Sequence, residues 1–257
     1  MFNSFNPQLT SEKIVNFLKQ EVSSSGLSDV ILALSGGIDS TTVAYLLSQA
    51  FDKKNIYILL MPYKNLNPKG LADSKKVISQ LNLLKDNFET VDISKIADGT
   101  INTDPKMDDI RRGNIMARAR MIVLFDRAKK HKALVIGTEN KSEHLLSYYT
   151  RFGDEASDLE PIRGLYKTQV KMLAKYLGVP NEFIKKPPTA GLWEGQTDEG
   201  QFGFSYSQAD IVLHAHFDLN YSKEKIENLG IKKETINKIL DWVKANDFKH
   251  HLPKVCK

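Results

Sequence analysis

Cysteine is nearly absent: Cys256 is the only one among 257 residues. A single cysteine excludes an intrachain disulfide, a thiolate-rich zinc site and a two-cysteine redox relay. It also sits in a terminal stretch expected to fray, a poor place for a nucleophile. Long apolar runs are missing too. The longest core-like run, residues 30–34, is strand-sized, against roughly 18 residues needed to cross a bilayer. Residues 1–7 lack a basic stretch followed by an apolar one, so no secretory signal is read there and a cytoplasmic protein is expected. Neither sign of charge dominates. Lys and Arg number 36 against 31 Asp and Glu, a net +5 that suits nucleotides and phosphates as well as larger polyanions. The six histidines show no metal spacing; His214 and His216, two apart, would face different sides of a helix.

What the sequence does have is an ordinary globular composition, 41% apolar and 26% charged, arranged as apolar runs alternating with helical patterns. That alternation predicts βαβ units, a mostly parallel sheet flanked by helices and one α/β domain over residues 1–257, with a flexible basic tail at 249–257. Strands are expected over 29–34, 55–61, 88–93 and 133–137. Helices are expected from Thr10 or Ser11, over 41–50, from Pro68, over 109–131, 140–147 and 167–177, and from a Ser207 cap to His214. Residues 185–204 carry two prolines and four glycines and read as a long loop, a kind of segment that is usually functional.

The strongest local signal follows the first expected strand: Ser35, Gly36, Gly37, Ile38, Asp39 and Ser40. Adjacent glycines allow positive φ and let backbone N–H groups approach an anion. The next helix aims its positive end at the same place. The result is a phosphate cradle at the carboxyl end of a parallel strand, where open α/β sheets bind ligands. The spacing is neither that of a Walker loop nor that of a dinucleotide fingerprint. Asp39 would repel phosphate unless a cation intervened, which suggests a Mg²⁺ ligand.

The hexapeptide resembles the pyrophosphate-binding loop of the ATP pyrophosphatase group, enzymes that cleave ATP between the α and β phosphates. Three further stretches resemble the ammonia-dependent NAD synthetases within that group. They are Arg111-Arg-Gly-Asn-Ile-Met-Ala-Arg-Ala-Arg-Met121; Gly137-Thr-Glu-Asn-Lys-Ser-Glu143 followed by Phe152-Gly-Asp-Glu-Ala-Ser-Asp158 and Leu165-Tyr-Lys167; and Pro188-Thr-Ala-Gly-Leu-Trp-Glu-Gly-Gln-Thr-Asp-Glu199 followed by Gly203-Phe-Ser-Tyr206. The resemblance implies a Rossmann-like, adenine nucleotide alpha hydrolase-like fold. It implies that the carboxylate of nicotinic acid adenine dinucleotide (deamido-NAD) attacks ATP, that ammonia displaces AMP from the acyl adenylate, and that NAD results. Residues 35–40 would hold the ATP phosphates. Asp39 and Glu143 would hold Mg²⁺, Thr138 and Thr189 would touch ATP, and Lys167 would neutralise phosphate. Arg118, Arg151, Asp158 and Lys249 match acceptor-binding positions, and Asp154 is the candidate to orient ammonia. The chain departs from the family pattern at Arg151, where Lys is common, and at Phe248-Lys249, where some members have His-Lys.

Plainer readings exist for single residues. Alone, Glu143 is a surface helix residue; its place five residues past Thr138, at a strand end, marks it out. Asp158 alone could brace its loop. Lys167 at a helix N-terminus is unfavourable to the helix dipole unless an anion lies nearby. A tRNA-thiolating enzyme with the same loop would need cysteines that this chain lacks, whereas a non-catalytic nucleotide sensor would not need both Asp39 and Glu143. The absence of an amidase-type cysteine points to free ammonia as the nitrogen source. Family members are homodimers, and Ile115, Ile122, Val123 and Phe125 on the long helix are candidates for that surface, although the helix could equally pack on the sheet.

Overall fold

Val30, Ile31 and Leu32 are consecutive and fully buried, which happens when a strand lies inside a sheet covered on both faces. The computed structural model describes residues 2, 4–251, 253, 255 and 256. It contains β1 (Asp29–Ala33), β2 (Ile56–Leu60), β3 (Phe88–Thr90) and β4 (Ala133–Ile136), paired in parallel in the order β3-β2-β1-β4. The sheet is the expected one with shorter strands. Beyond Thr90 the chain still donates to the β2 side, from Val91 N to Leu60 O at 2.8 Å and from Ile93 N to Pro62 O at 3.0 Å.

One face is covered by α1 (Pro7–Ser24), α2 (Ile38–Ala50) and α7 (Lys167–Tyr176), whose Leu18, Leu47 and Leu173 pack with Phe183 of the short α8 (Asn181–Ile184) in the cluster holding Val30, Leu32 and Ile58. The other face is covered by α4 (Ser94–Ile101) and α5 (Asp109–His131), whose Ile101 and Met116 join Ile31, Leu59 and Val135. Of the two placements open to this helix face, packing on the sheet holds for Val123, which is buried in this second cluster, and for Ile115 and Phe125, which pack against it. Ile122, in contrast, is 54% exposed. A third cluster lies around α9 (Asp198–Phe202), α10 (Tyr206–Leu213), α11 (Lys223–Glu227) and α12 (Lys233–Asn246), with Phe202, Val212, Ile226 and Ile236 buried.

Local chemistry explains where helix starts differ from the sequence expectation. Helix α1 starts at Pro7 rather than near Thr10, because Asn6 caps it by accepting from Leu9 N at 3.1 Å and proline suits the first helical position. Helix α2 starts at Ile38, so Asp39 and Ser40 belong to its first turn rather than to the preceding loop. Residues 185–204 are not loop throughout: Thr197 caps α9. Ser205, not Ser207, caps α10, in a capping box with Gln208. Helix α4 has no side-chain cap and was not expected from the sequence.

The connection from β1 leads to β2 on one side, whereas β4 joins β1 on the other. The chain order therefore reverses between β1 and β4, and the crevice outside their carboxyl ends is where open α/β sheets place ligands. Residues 35–40 leave β1 on one side of this crevice, and residues 137–143 leave β4 on the other.

Candidate active site

Gly36 has φ +74°, and a Cβ there would lie 2.4 Å from the carbonyl oxygen of Gly70, in α3 (Pro68–Gln80). Only glycine allows both that conformation and that approach. Gly37 caps α2 without a side-chain hydrogen bond, leaving first-turn N–H groups for a ligand. Within the bend, Ser35 Oγ and Ser40 Oγ lie 3.0 Å apart, and Gly37 N donates to Ser35 Oγ at 3.3 Å.

Across the crevice, Lys167 is the first residue of α7 and is 2% exposed. Its Nζ donates to Asp39 Oδ2 at 2.6 Å and to Glu143 Oε1 at 2.9 Å. Asn140 connects the two carboxylates. Its Nδ2 donates to Asp39 Oδ1 at 3.0 Å, and it forms a capping box with Glu143 on the short helix α6 (Lys141–Leu145). Burial, opposed by Lys167 and aided by the negative charge of Asp39, raises the Glu143 carboxyl above the ordinary carboxylate range. Burial would lower Lys167, but Asp39, Glu143 and Asp198 overturn this and hold it above the ordinary lysine value. Asp210, fully buried, accepts from Thr168 N at 2.8 Å and so supplies the anion that a lysine at a helix N-terminus requires.

A cavity of about 310 Å³ opens over these groups, within the usual range for a ligand site. It brings together much of the expected ATP machinery: Ser35, Gly37, Ile38, Asp39 and Ser40 from the bend, Thr138 and Glu143 after β4, and Lys167 and Thr189 opposite. Gly36 supplies the turn behind that wall. Thr189 Oγ1 donates to Gln196 O at 2.7 Å. Asp154 also lines the cavity and accepts from Thr150 N at 2.8 Å.

The expected acceptor-binding residues are arranged differently. Arg118 is exposed on α5 and donates through Nε and Nη2 to Arg151 O at 3.3 and 3.2 Å. Arg151 in turn donates to His251 O. Lys249 donates to Ser147 O at 2.8 Å and Tyr149 O at 3.0 Å, so the stretch expected to be flexible from 249 begins with fixed residues in a 3-10 turn, Asp247–His250. Asp158 Oδ2 accepts from Val135 N at 2.7 Å at the edge of β4. None of these four is among the residues that line the cavity.

Several site residues escaped the sequence reading. Asp198 is 4% exposed and accepts from Tyr148 and Tyr206 at 3.2 and 3.3 Å; burial raises its pKa. Its position in the stretch after Pro188 was the available signal. Arg120 lines the cavity and donates to Met61 O at 3.0 Å. Asp210 could not be found from spacing, because its partners Ser142 and Thr168 are distant in the chain; for Asn140 spacing offers only the cap on Glu143, and its tie to Asp39 spans 101 residues.

No cluster of three metal-ligating side chains occurs among the described residues. The two carboxylates that share Lys167 nonetheless fit a hard divalent cation, which takes one or two carboxylates and fills its remaining positions with water and phosphate oxygen.

A family model described as NAD synthase matches residues 10–253. An NH(3)-dependent NAD(+) synthetase of Fusobacterium nucleatum subsp. nucleatum is 41% identical over 245 residues, 95% of this chain and 94% of the relative. Among solved structures, an NMN synthetase from Francisella tularensis superposes with a TM-score of 0.85 at 30% identity, covering 98% of this chain and 99% of the other. An NH3-dependent NAD synthetase from Campylobacter jejuni subsp. jejuni gives a TM-score of 0.83 at 34% identity, covering 98% and 100%.

Proposed function

The chain belongs to the NAD synthase family, and from that premise we propose that it converts deamido-NAD, ATP and ammonia into NAD, AMP and pyrophosphate. The observation that carries this reading is the meeting of Asp39 and Glu143 on Lys167 beside a glycine bend at the β1/β4 crevice. An unactivated carboxylate does not form an amide at neutral pH, so the acceptor must first be activated.

In the first step an oxygen of the nicotinate carboxylate attacks the α-phosphorus of ATP, and the bond to the bridging oxygen breaks to release pyrophosphate. The N–H groups at the start of α2, with the hydroxyls of Ser35 and Ser40, hold the phosphates being released. Lys167 remains protonated between its carboxylates and offsets the charge that grows on them. Thr138 and Thr189 orient the nucleotide. Mg²⁺, held by Asp39 and Glu143, would supply further charge neutralisation on phosphate oxygen. In the second step ammonia attacks the acyl carbon, AMP leaves and a proton is released; Asp154, at the cavity wall, orients the amine. Arg118, Arg151, Asp158 and Lys249 hold the acceptor. The chain works as a homodimer through the exposed side of α5.

The direct experiment incubates the protein with ATP, Mg²⁺, ammonium and deamido-NAD. NAD, AMP and pyrophosphate are expected; ADP, or no product, would overturn the reading. The likeness to the F. tularensis NMN synthetase favours a second reading, the same chemistry on nicotinic acid mononucleotide. Comparing kcat/KM for the two acceptors decides between them.

A further inference from the structure

Lys186 has no role in the reaction just described, although it lines the same cavity and stands three residues before Thr189. Its Nζ donates to Asp73 Oδ2 at 2.8 Å and to the carbonyl oxygen of Gly36 at 3.1 Å. Asp73 lies on α3, with its side chain 10% exposed. Its Cβ is 3.0 Å from where a Cβ on Gly36 would stand, so the Asp73–Lys186 pair directly backs the bend.

The second contact determines which way a peptide faces. No peptide among the described residues is cis, so the carbonyl of Gly36 and the N–H of Gly37 point to opposite sides of their plane. The carbonyl meets Lys186. The N–H meets Ser35 Oγ at 3.3 Å, on the inner side where Ser35 and Ser40 hydroxyls converge. If this peptide turned over, a carbonyl oxygen would face the incoming phosphate and a donor would be lost. Two flanking glycines make such a turn sterically inexpensive; inside the bend the long 3.3 Å bond to Ser35 Oγ opposes it, and from outside the bond from Lys186 does.

We propose that Lys186 is a positioning residue that holds the Gly36–Gly37 peptide with its N–H directed into the phosphate cradle. The proposal rests on the ATP-binding role of the bend given above. It predicts that Lys186 controls affinity for ATP and pyrophosphate and leaves the acceptor site alone. A mere tie between loop and helix would instead affect stability and all kinetic constants together.

The test measures the dissociation constant of a non-hydrolysable ATP analogue, pyrophosphate product inhibition, both KM values and thermal stability. Lys186→Gln should weaken analogue and pyrophosphate binding by about tenfold while the acceptor KM stays within about twofold, and Lys186→Arg should restore most of the loss. Unchanged nucleotide constants in Lys186→Gln, or equal changes in the acceptor KM, would overturn the proposal. Asp73→Asn keeps the bond to Gly36 and serves as the check if Lys186→Gln does not fold. Its analogue affinity should stay within about threefold of wild type, and a tenfold loss there would make the tie to α3 the operative element and overturn the assignment. Wild-type product formation separately tests the reaction, since analogue binding judges Lys186 whether or not NAD is made.

Discussion

Asp39 Oδ2 and Lys167 Nζ lie 2.6 Å apart across 128 residues of chain, and Glu143 approaches the same nitrogen. One ammonium thus serves two carboxylates, with a third, Asp198, adding negative charge nearby. Replacing Lys167 by Met removes the only cation that these carboxylates touch among the described residues. Activity should fall by roughly 10²–10³ or more, the loss typical of a removed transition-state donor. Stripping a buried charge group of its partner should cost about 3–5 kcal/mol of stability. Product formation and denaturant unfolding measure the two effects. A fully active, equally stable Lys167→Met protein would remove Lys167 from the mechanism.

Gly36 and Gly26 share a φ of +74°, but a Cβ on Gly26 meets nothing within 4 Å, whereas on Gly36 it would run into the Gly70 carbonyl. The pair separates backbone strain from crowding. Gly26→Ala should cost about 1 kcal/mol and leave the KM for ATP unchanged. Gly36→Ala should cost more and abolish ATP binding, because the bend must open to admit the methyl group. Equal effects in the two variants would mean that the close approach of α3 to the bend has no part in binding.

What could be read from the sequence was what short-range chemistry determines. Helix α5 runs over Asp109–His131 as expected, because Asp108 caps one end and Lys132 in the left-handed conformation ends the other. The bend at 35–40 announced itself because its glycines, hydroxyls and carboxylate are contiguous. Helix α9 was hidden because glycines and prolines around it mask a five-residue helix whose signal is a single Thr197 cap. Asp210 serves residues 68 and 42 positions away, and Lys186 meets Asp73 across 113. Only the folded sheet brings such partners together.

Dimerisation should depend on the outward side of α5. Ile110 and Ile122 are 56% and 54% exposed there, while Val123 is turned to the sheet. Ile122→Lys should shift sedimentation from dimer toward monomer with little change in folding stability, as surface substitutions usually cause less than about 0.5 kcal/mol. Wild type sedimenting as a monomer at micromolar concentration would refute the dimer.

Glu160 sets a pH dependence of stability. Its side chain is 9% exposed beside Gly137, and burial pushes its pKa up to about 7 from 4.5. The folded state therefore binds this proton more tightly than the unfolded state. Between about pH 4.5 and 7 the folded protein carries more protons, so unfolding free energy falls as pH rises. A shift of this size corresponds to about 3 kcal/mol lost by pH 8 relative to pH 4. Glu160→Gln cannot ionise, and its stability should decline less over the same range in denaturant titrations. Parallel curves for wild type and variant would show that Glu160 is not the group responsible.

The last dependence concerns the nucleophile. Ammonia attacks the acyl carbon through its lone pair, which ammonium lacks. Well below the ammonium pKa, free ammonia rises about tenfold per pH unit, as for any amine. The KM expressed as total ammonium should therefore fall as pH rises through neutrality, while kcat at saturating ammonium changes little. Asp154 lines the cavity, and its carboxylate fits a role in orienting the amine or accepting its proton. Asp154→Asn should raise the ammonium KM and leave the KM for ATP within about twofold, since it removes a charge from the amine side only. Steady-state rates measured at several ammonium concentrations and pH values check both statements. A KM for total ammonium that stays flat across neutral pH would mean that ammonium itself is bound and deprotonated inside the site, giving Asp154 or a neighbour the part of general base.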